Sequence, residues 1–321
     1  MNIYPWHDDL WKRLAPPLPH ALLLKGRSGI GKLGFADYLA QSLLCESPLQ
    51  DGKACNACVS CSWFVNACHP DFRRIEPESD LAESGRKVKQ ITIDQVRSLA
   101  GFMNLSTHRN GYRIVLIHPA EAMNIHAANA LLKTLEEPSG KSLFLLVSHK
   151  PHQLLPTILS RCQAIAMPFP GPAEAEKWLR GQGISEPAPY LSEAGQAPLI
   201  ALNLAGEDPS LRERFLQEIA SPSSLDAVAV AEIFQKTDLS MILRWLQKWC
   251  HDLASCAFSG KIRYFPDLSD KIVEVSRKSD KFELMRFQRT LLEAQKISIH
   301  PVNARLFLEE LVLNYISLTV K

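Results

Sequence analysis

Residues 26–33, GRSGIGKL, constrain this chain more than any other stretch. Gly26, Gly31 and Lys32 satisfy the pattern G-x-x-x-x-G-K-[ST] up to its last position, where Leu33 stands in place of Ser or Thr. A loop of this kind needs a strand before it and a helix after it. Its successive backbone N–H groups and the helix dipole then form a cradle for an anion. Both elements are predicted. ALLLKG (21–26) is a short apolar run that reads as a buried parallel strand, and Phe35, Leu39 and Leu43 then recur every four residues, as one helix face requires. Lys32 can reach the outer phosphates of a nucleotide. Leu33 cannot hold the Mg²⁺ that the missing hydroxyl would bind. On this pattern nucleotide binding without turnover stays open.

The rest of the first half alternates in the same way. A second strand is expected within DFRRIEPE (71–78). Thr92 and Gln95 have capping-box spacing at the start of a helix over 92–105. YRIVLI (112–117) is a buried strand, and 124–137 is a helix stopped by Pro138. SLFLLVS (142–148) is a further strand. A short helix over 155–162 leads into an edge strand from Gln163. Strands alternating with helices predict a parallel α/β sheet, ending near Phe169 where PFPGP marks a boundary. Residues 170–207 offer short helical pieces enough for a small helical domain, and 208–321 read as helices only. In the latter, Ile242, Leu246, Trp249 and Leu253 form one stripe. The segment 302–320 is apolar nearly all round and is expected to be buried between neighbours.

A hydrolase of this type ends a later strand with an acidic pair that holds Mg²⁺ and positions the attacking water. Here IVLI is followed by His118 and Pro119. A neutral imidazole is a poor Mg²⁺ ligand, and proline offers none. Glu121 is close in sequence but is expected to point elsewhere from the following turn. Two independent Mg²⁺ elements are thus missing, and no autonomous ATPase activity is expected.

Five of the eight cysteines fall within 24 residues, and Cys55, Cys58 and Cys61 form C-x₂-C-x₂-C. In a chain of this size, clustered cysteines read as metal ligands before disulfides. Four thiolates can enclose a structural Zn²⁺ with no open position. Cys45, Cys68 and His69 are candidates for the fourth place; Cys45 is preferred because it would tie the excursion back to the helix after the loop. Arg161, in Ser160–Arg161–Cys162, is either a surface residue or a cation supplied in trans to a neighbour's triphosphate.

A net charge of +2 argues against a stand-alone nucleic-acid binder. No apolar run is long enough for a membrane span, and the N-terminus carries acids and tryptophans instead of a signal-peptide core. A cytoplasmic location is expected.

Taken together, HALLLKGRSGIGK, the cysteine insertion followed by HPD (69–71), NALLKTLEEP (129–138) and SRC (160–162) resemble the bacterial clamp-loader subunits of the AAA+ class, over the whole chain in order. The gamma/tau motor subunits of that family keep the hydroxyl and the acidic pair. They also carry a phosphate-sensing Arg where this chain has GQAPLIA (195–201). The resemblance therefore implies the non-hydrolysing member; the alternative is an active motor subunit. It implies a AAA+ P-loop domain (1–169) with a zinc module at about 45–69, a helical lid (170–207) and a helical oligomerisation collar (208–321). The zinc ligands it implies are Cys45, Cys55, Cys58 and Cys61. Arg161 is implied as an arginine finger acting on a gamma/tau neighbour. Other implied partners are the delta subunit and, through the complex of DNA polymerase III, the sliding clamp and primed DNA.

Overall fold

Unbroken apolar runs become the central strands of a parallel sheet. The structure, a computed structural model, describes residues 3–14, 17–81, 87–104, 111–138, 140–298 and 300–318. It divides into two compact units, Met1–Gly171 and Pro172–Lys321.

In chain order the first unit contains α1 (Asp8–Arg13), β1 (Ala21–Lys25), α2 (Lys32–Leu44), α3 (Val59–Val65), β2 (Phe72–Ile75), β3 (Glu78–Leu81) and β4 (Lys87–Gln90). It continues with α4 (Ile93–Asn104), β5 (Arg113–Ile117), α5 (Ile125–Glu136), β6 (Ser142–Ser148), α6 (Pro156–Leu159) and β7 (Gln163–Ala166). Five strands pair in the order β2–β5–β6–β1–β7, all parallel. Helices cover both faces, so β5 and β6 are buried along their whole length and read as continuous apolar runs. Alternate residues serve opposite faces. Leu22, Leu24, Ile114 and Leu145 cluster with Phe35 and Leu39 of α2. Leu23, Val115, Phe144 and Leu146 cluster with Leu99 of α4 and Leu131 of α5. Each such fully buried leucine contributes about 1.5–3 kcal/mol.

Local signals set the helix starts. The Thr92 amide donates to Gln95 Oε1 (2.9 Å) and the Gln95 amide to Thr92 Oγ1 (3.4 Å), a reciprocal capping box. Asn124 Oδ1 accepts from the Ala127 amide (2.8 Å) at the start of α5. The expected strand over 71–78 is confined to Phe72–Ile75. Beyond it, β3 and β4 pair antiparallel, an excursion that the sequence reading lacked. The charged segments around them give no apolar alternation to read.

Every described element of the second unit is helical. Its first helices are α7 (Pro172–Gly181), α8 (Pro187–Glu193) and α9 (Pro198–Ala205), packed on Leu179, Leu191 and Ala201. The unit continues with α10 (Pro209–Ile219), α11 (Ala227–Phe234), α12 (Leu239–Ser259), α13 (Ser269–Lys278), α14 (Lys281–Ile297) and α15 (Ala304–Ile316). These share a separate core built on Phe215, Phe234, Trp245, Trp249 and Tyr315, and the stripe expected on α12 faces it. The Trp249 indole donates to the Tyr315 hydroxyl (2.8 Å), which donates to the Ile219 carbonyl (2.7 Å), so these buried polar atoms are satisfied. The expectation that 302–320 is buried all round is half met. Leu308, Leu311, Val312 and Tyr315 are buried, whereas Leu306 and Leu313 are exposed.

Glu193, at the end of α8, has a fully buried side chain. Arg212 Nε of α10 donates to it at 2.5 Å and Lys248 Nζ of α12 at 3.2 Å. Burial lowers the Lys248 pKa, and Glu193 opposes that shift. Glu193→Ala should therefore destabilise the chain by about 3–5 kcal/mol, because two largely buried cations would lose their counter-charge. An unaltered urea midpoint would show that the cluster does not hold these helices together.

Candidate functional site

The loop at 26–33 leaves β1 at its carboxyl end and runs directly into α2. Gly31 has φ +86° as the N-cap of α2, a left-handed conformation that favours glycine. A Cβ there would also lie 2.4 Å from two ring carbons of Tyr4. Tyr4 stacks on Trp6 (centroids 5.0 Å apart, planes at 7°), and the Trp6 indole donates to the Ile30 carbonyl (2.9 Å). His7 is fully buried, edge-on to Phe35. Burial, with Lys32 as a second cause, pushes its pKa down to about 4. The N-terminal segment is thus packed onto the loop. The sequence reading used the tryptophans only to dismiss a signal peptide, and no motif joins Tyr4 or His7 to a loop so far downstream.

Lys32 is 2% exposed. Its ammonium donates to the carbonyls of Gly26 (2.7 Å) and Arg27 (2.5 Å), folding back on its own loop. Burial lowers its pKa to about 8, with Glu121 opposing. The Leu33 side chain carries no oxygen and packs at the edge of the α2-side core.

At the carboxyl ends of β5 and β6, two imidazoles meet. His118 Nε2 and His149 Nε2 are 3.2 Å apart. Burial lowers the pKa of both, His149 to about 4. At neutral pH both rings are therefore uncharged, with one N–H donating to the other ring. Glu121 corrects the sequence reading. The one-turn 3₁₀ helix Ala120–Ala122 carries it back toward the sheet, where Oε1 accepts from the His149 amide (3.0 Å). Its charge is the second influence on Lys32. His149 was missed because it is far from the loop in sequence.

The sulfurs of Cys45, Cys55, Cys58 and Cys61 all lie within 4.8 Å of one another. Three of the separations are 3.5, 3.9 and 4.0 Å. A tetrahedron with metal–sulfur bonds of about 2.3 Å has edges of about 3.8 Å, so the four thiols fit a metal ion. Backbone amides also point at the sulfurs, from Cys55 to Cys45, from Ala57 and Cys58 to Cys55, and from Cys61 to Cys58. Such donors favour thiolate, and the Cys55 pKa falls to about 6, chiefly through the Ala57 and Cys58 amides.

The two rivals for the fourth position are engaged elsewhere. The exposed Cys68 thiol donates to the Trp63 carbonyl (3.6 Å). His69 Nδ1 accepts from the Asp71 amide (3.1 Å), which leaves the proton on Nε2 to donate to Ser60 Oγ (2.8 Å). Ser60 in turn donates to the Leu44 carbonyl (2.5 Å). This Ser–His pair has the wrong tautomer for nucleophilic activation and braces the cysteine module against α2.

Arg161 follows α6, with its side chain 34% exposed. Nη1 donates to the Thr157 carbonyl (3.1 Å) and to Ser160 Oγ (3.3 Å), and Nη2 donates to Glu136 Oε1 (2.5 Å). A guanidinium at the surface, held by its neighbours, can bind an anion brought by another chain.

Comparison with known proteins identifies the family. Residues 14–170 match the model of the DNA polymerase III delta subunit, and residues 207–316 match the model of its C-terminal part. The DNA polymerase III subunit delta' of Pseudomonas aeruginosa is 36% identical, over 99% of this chain and 98% of that protein. The chain belongs to the delta' family of DNA polymerase III subunits. The Escherichia coli delta' subunit is 30% identical over 77% of this chain and 74% of its own length. The Bacillus subtilis tau subunit is 32% identical, over 45% of this chain and 24% of tau. The family assignment agrees with the resemblance read from the motifs.

One metal ion per chain is expected in protein purified without added metal, measured by elemental analysis. Cys45→Ser should lose it and Cys68→Ser should keep it. The reverse pattern would show that the ligand set is wrong.

Proposed function

We propose that this chain is the non-hydrolysing, stator subunit of the DNA polymerase III clamp loader. In this role it supplies Arg161 in trans to the ATP site of a neighbouring gamma/tau subunit while the sliding clamp is loaded on primed DNA. The observation that carries the reading is the state of its own loop. Lys32 is spent on the loop's carbonyls, Leu33 and His118 replace two Mg²⁺ elements, and Tyr4 lies on Gly31. Phosphoryl transfer depends on positioning and charge neutralisation by the metal, so a chain so altered is suited to assist a neighbour's chemistry.

The cysteine cluster fits a structural zinc ion in this reading. Four thiolates leave no position for water or substrate. Residues 170–207 act as the lid and 208–321 as the collar that joins the gamma/tau and delta subunits. Exposed apolar side chains on α14 and α15 support the collar assignment: Phe282 is 85% exposed, Leu292 59% and Leu306 61%. Large apolar side chains left this exposed are candidates for burial against a partner subunit.

Two arms test the function. The isolated chain should show no ATP hydrolysis at a motor's rate, and any activity abolished by Lys32→Ala would sink the stator role. In the reconstituted complex, Arg161→Ala should cost about a thousandfold or more at the one site it serves. Total hydrolysis then falls only partly, and clamp loading, which needs the sites to act together, falls further. Arg161→Lys separates charge from geometry, since lysine lacks the planar fork. A mutant complex indistinguishable from wild type would refute the in-trans role.

The collar is tested by truncation. A chain ending near residue 206 would strip Glu193 of Arg212 and Lys248, so the informative cut is at Gly171, the end of the first unit. Residues 1–171 should fold and bind metal yet fail to co-elute with motor subunits on gel filtration. Normal co-elution would refute the assignment.

A further inference from the structure

Glu136 is the last residue of α5, an unfavourable place for an acid. A carboxylate in the last turn faces the negative end of the helix dipole. Its partner there is Arg161, 2.5 Å away. A guanidinium carries five N–H donors. Those on Nη1 go to Thr157 and Ser160, and one on Nη2 goes to Glu136. The Nε–H and the second Nη2–H have no partner among the described residues. Both side chains are partly exposed, at 34% and 48%, so the pair adds little to the stability of the chain. Its effect is on freedom. A long arginine side chain loses much rotamer entropy when it is fixed on an anion, and here three acceptors on two different elements have already fixed it.

We infer that Glu136 is the positioning residue of Arg161: it holds the guanidinium in place while leaving two N–H donors for the phosphoryl oxygens of a nucleotide on the neighbouring subunit. The inference rests on the proposed in-trans role of Arg161. The carboxylate and the phosphate then occupy different N–H groups of the same cation, and neither has to displace the other. This differs from a latch, in which Glu136 would neutralise the finger and have to be released. The two roles have opposite signs, because losing a positioning residue slows the neighbour's site and losing a latch speeds it.

The test uses the reconstituted complex, with assembly checked by gel filtration and phosphate release followed in the pre-steady state. The relevant phase is the one that Arg161→Ala removes. Glu136→Ala should slow that phase by roughly three- to tenfold, the effect of leaving one long side chain to be ordered during the reaction. Glu136→Gln keeps an acceptor oxygen in the place of Oε1 and should retain most of the rate. In an Arg161→Ala background neither substitution should have a further effect. A Glu136→Ala complex as fast as wild type or faster overturns the positioning role. So does a glutamine variant as slow as the alanine one, or a loss that persists without Arg161. If Arg161→Ala leaves every phase unchanged, the in-trans reading itself has failed and the role of Glu136 falls with it.

Discussion

Parallel pairing of β1 with β6, and of β6 with β5, decides where chemistry is possible in the first unit. The register sets Lys25 beside Ser148 and Ile117 beside Leu146, so the three strands end close together on one edge. In open parallel sheets that edge is where ligands bind. The glycine loop, His118 and His149 all leave the sheet there. The core that stabilises the unit lies between the strands and the helices, away from this edge. A change at residue 118 therefore alters the chemistry away from the core, and one at residue 33 reaches only the core's edge. This separation lets the residues at the carboxyl ends of the strands vary while the sheet and its helices stay the same.

What could be read in the sequence was local or periodic. The four-residue spacing of Phe35, Leu39 and Leu43, the Thr92–Gln95 cap and the stripe on α12 each need only a short window, and each has its counterpart in the structure. Three of the four clustered thiols were marked by close spacing. Cys45 is preferred over Cys68 and His69 because it ties the excursion back to the helix, and the structure adds that both rivals are engaged elsewhere. The illegible features depend on contacts between distant positions. Tyr4 on Gly31, Glu121 on the His149 amide and Glu136 on Arg161 join residues with no common motif. The antiparallel pair β3–β4 failed for a different reason, since its charged residues give no period to detect.

The second unit solves a different problem. Its two apolar cores are separate, and side chains from the first group of helices reach the second group as ions. Glu193 sits between Arg212 and Lys248, and Glu207 takes two hydrogen bonds from Arg244 Nη2, both at 2.9 Å. Burying such charges costs solvation that only good geometry repays. The return is directional: ion pairs fix an orientation, whereas greasy surfaces tolerate sliding.

The packing of Tyr4 on Gly31 limits what a single substitution at the site can change. With Ser at position 33, a Mg²⁺ ligand would enter a loop whose lysine is still turned inward. Asp at position 118 would place an acid beside His149 while the N-terminal aromatics still covered the loop. Neither change alone turns Lys32 outward or uncovers the loop, so each would need a second change in the segment packed on it. A loop covered by its own N-terminal segment and filled by its own lysine resists conversion by any single residue.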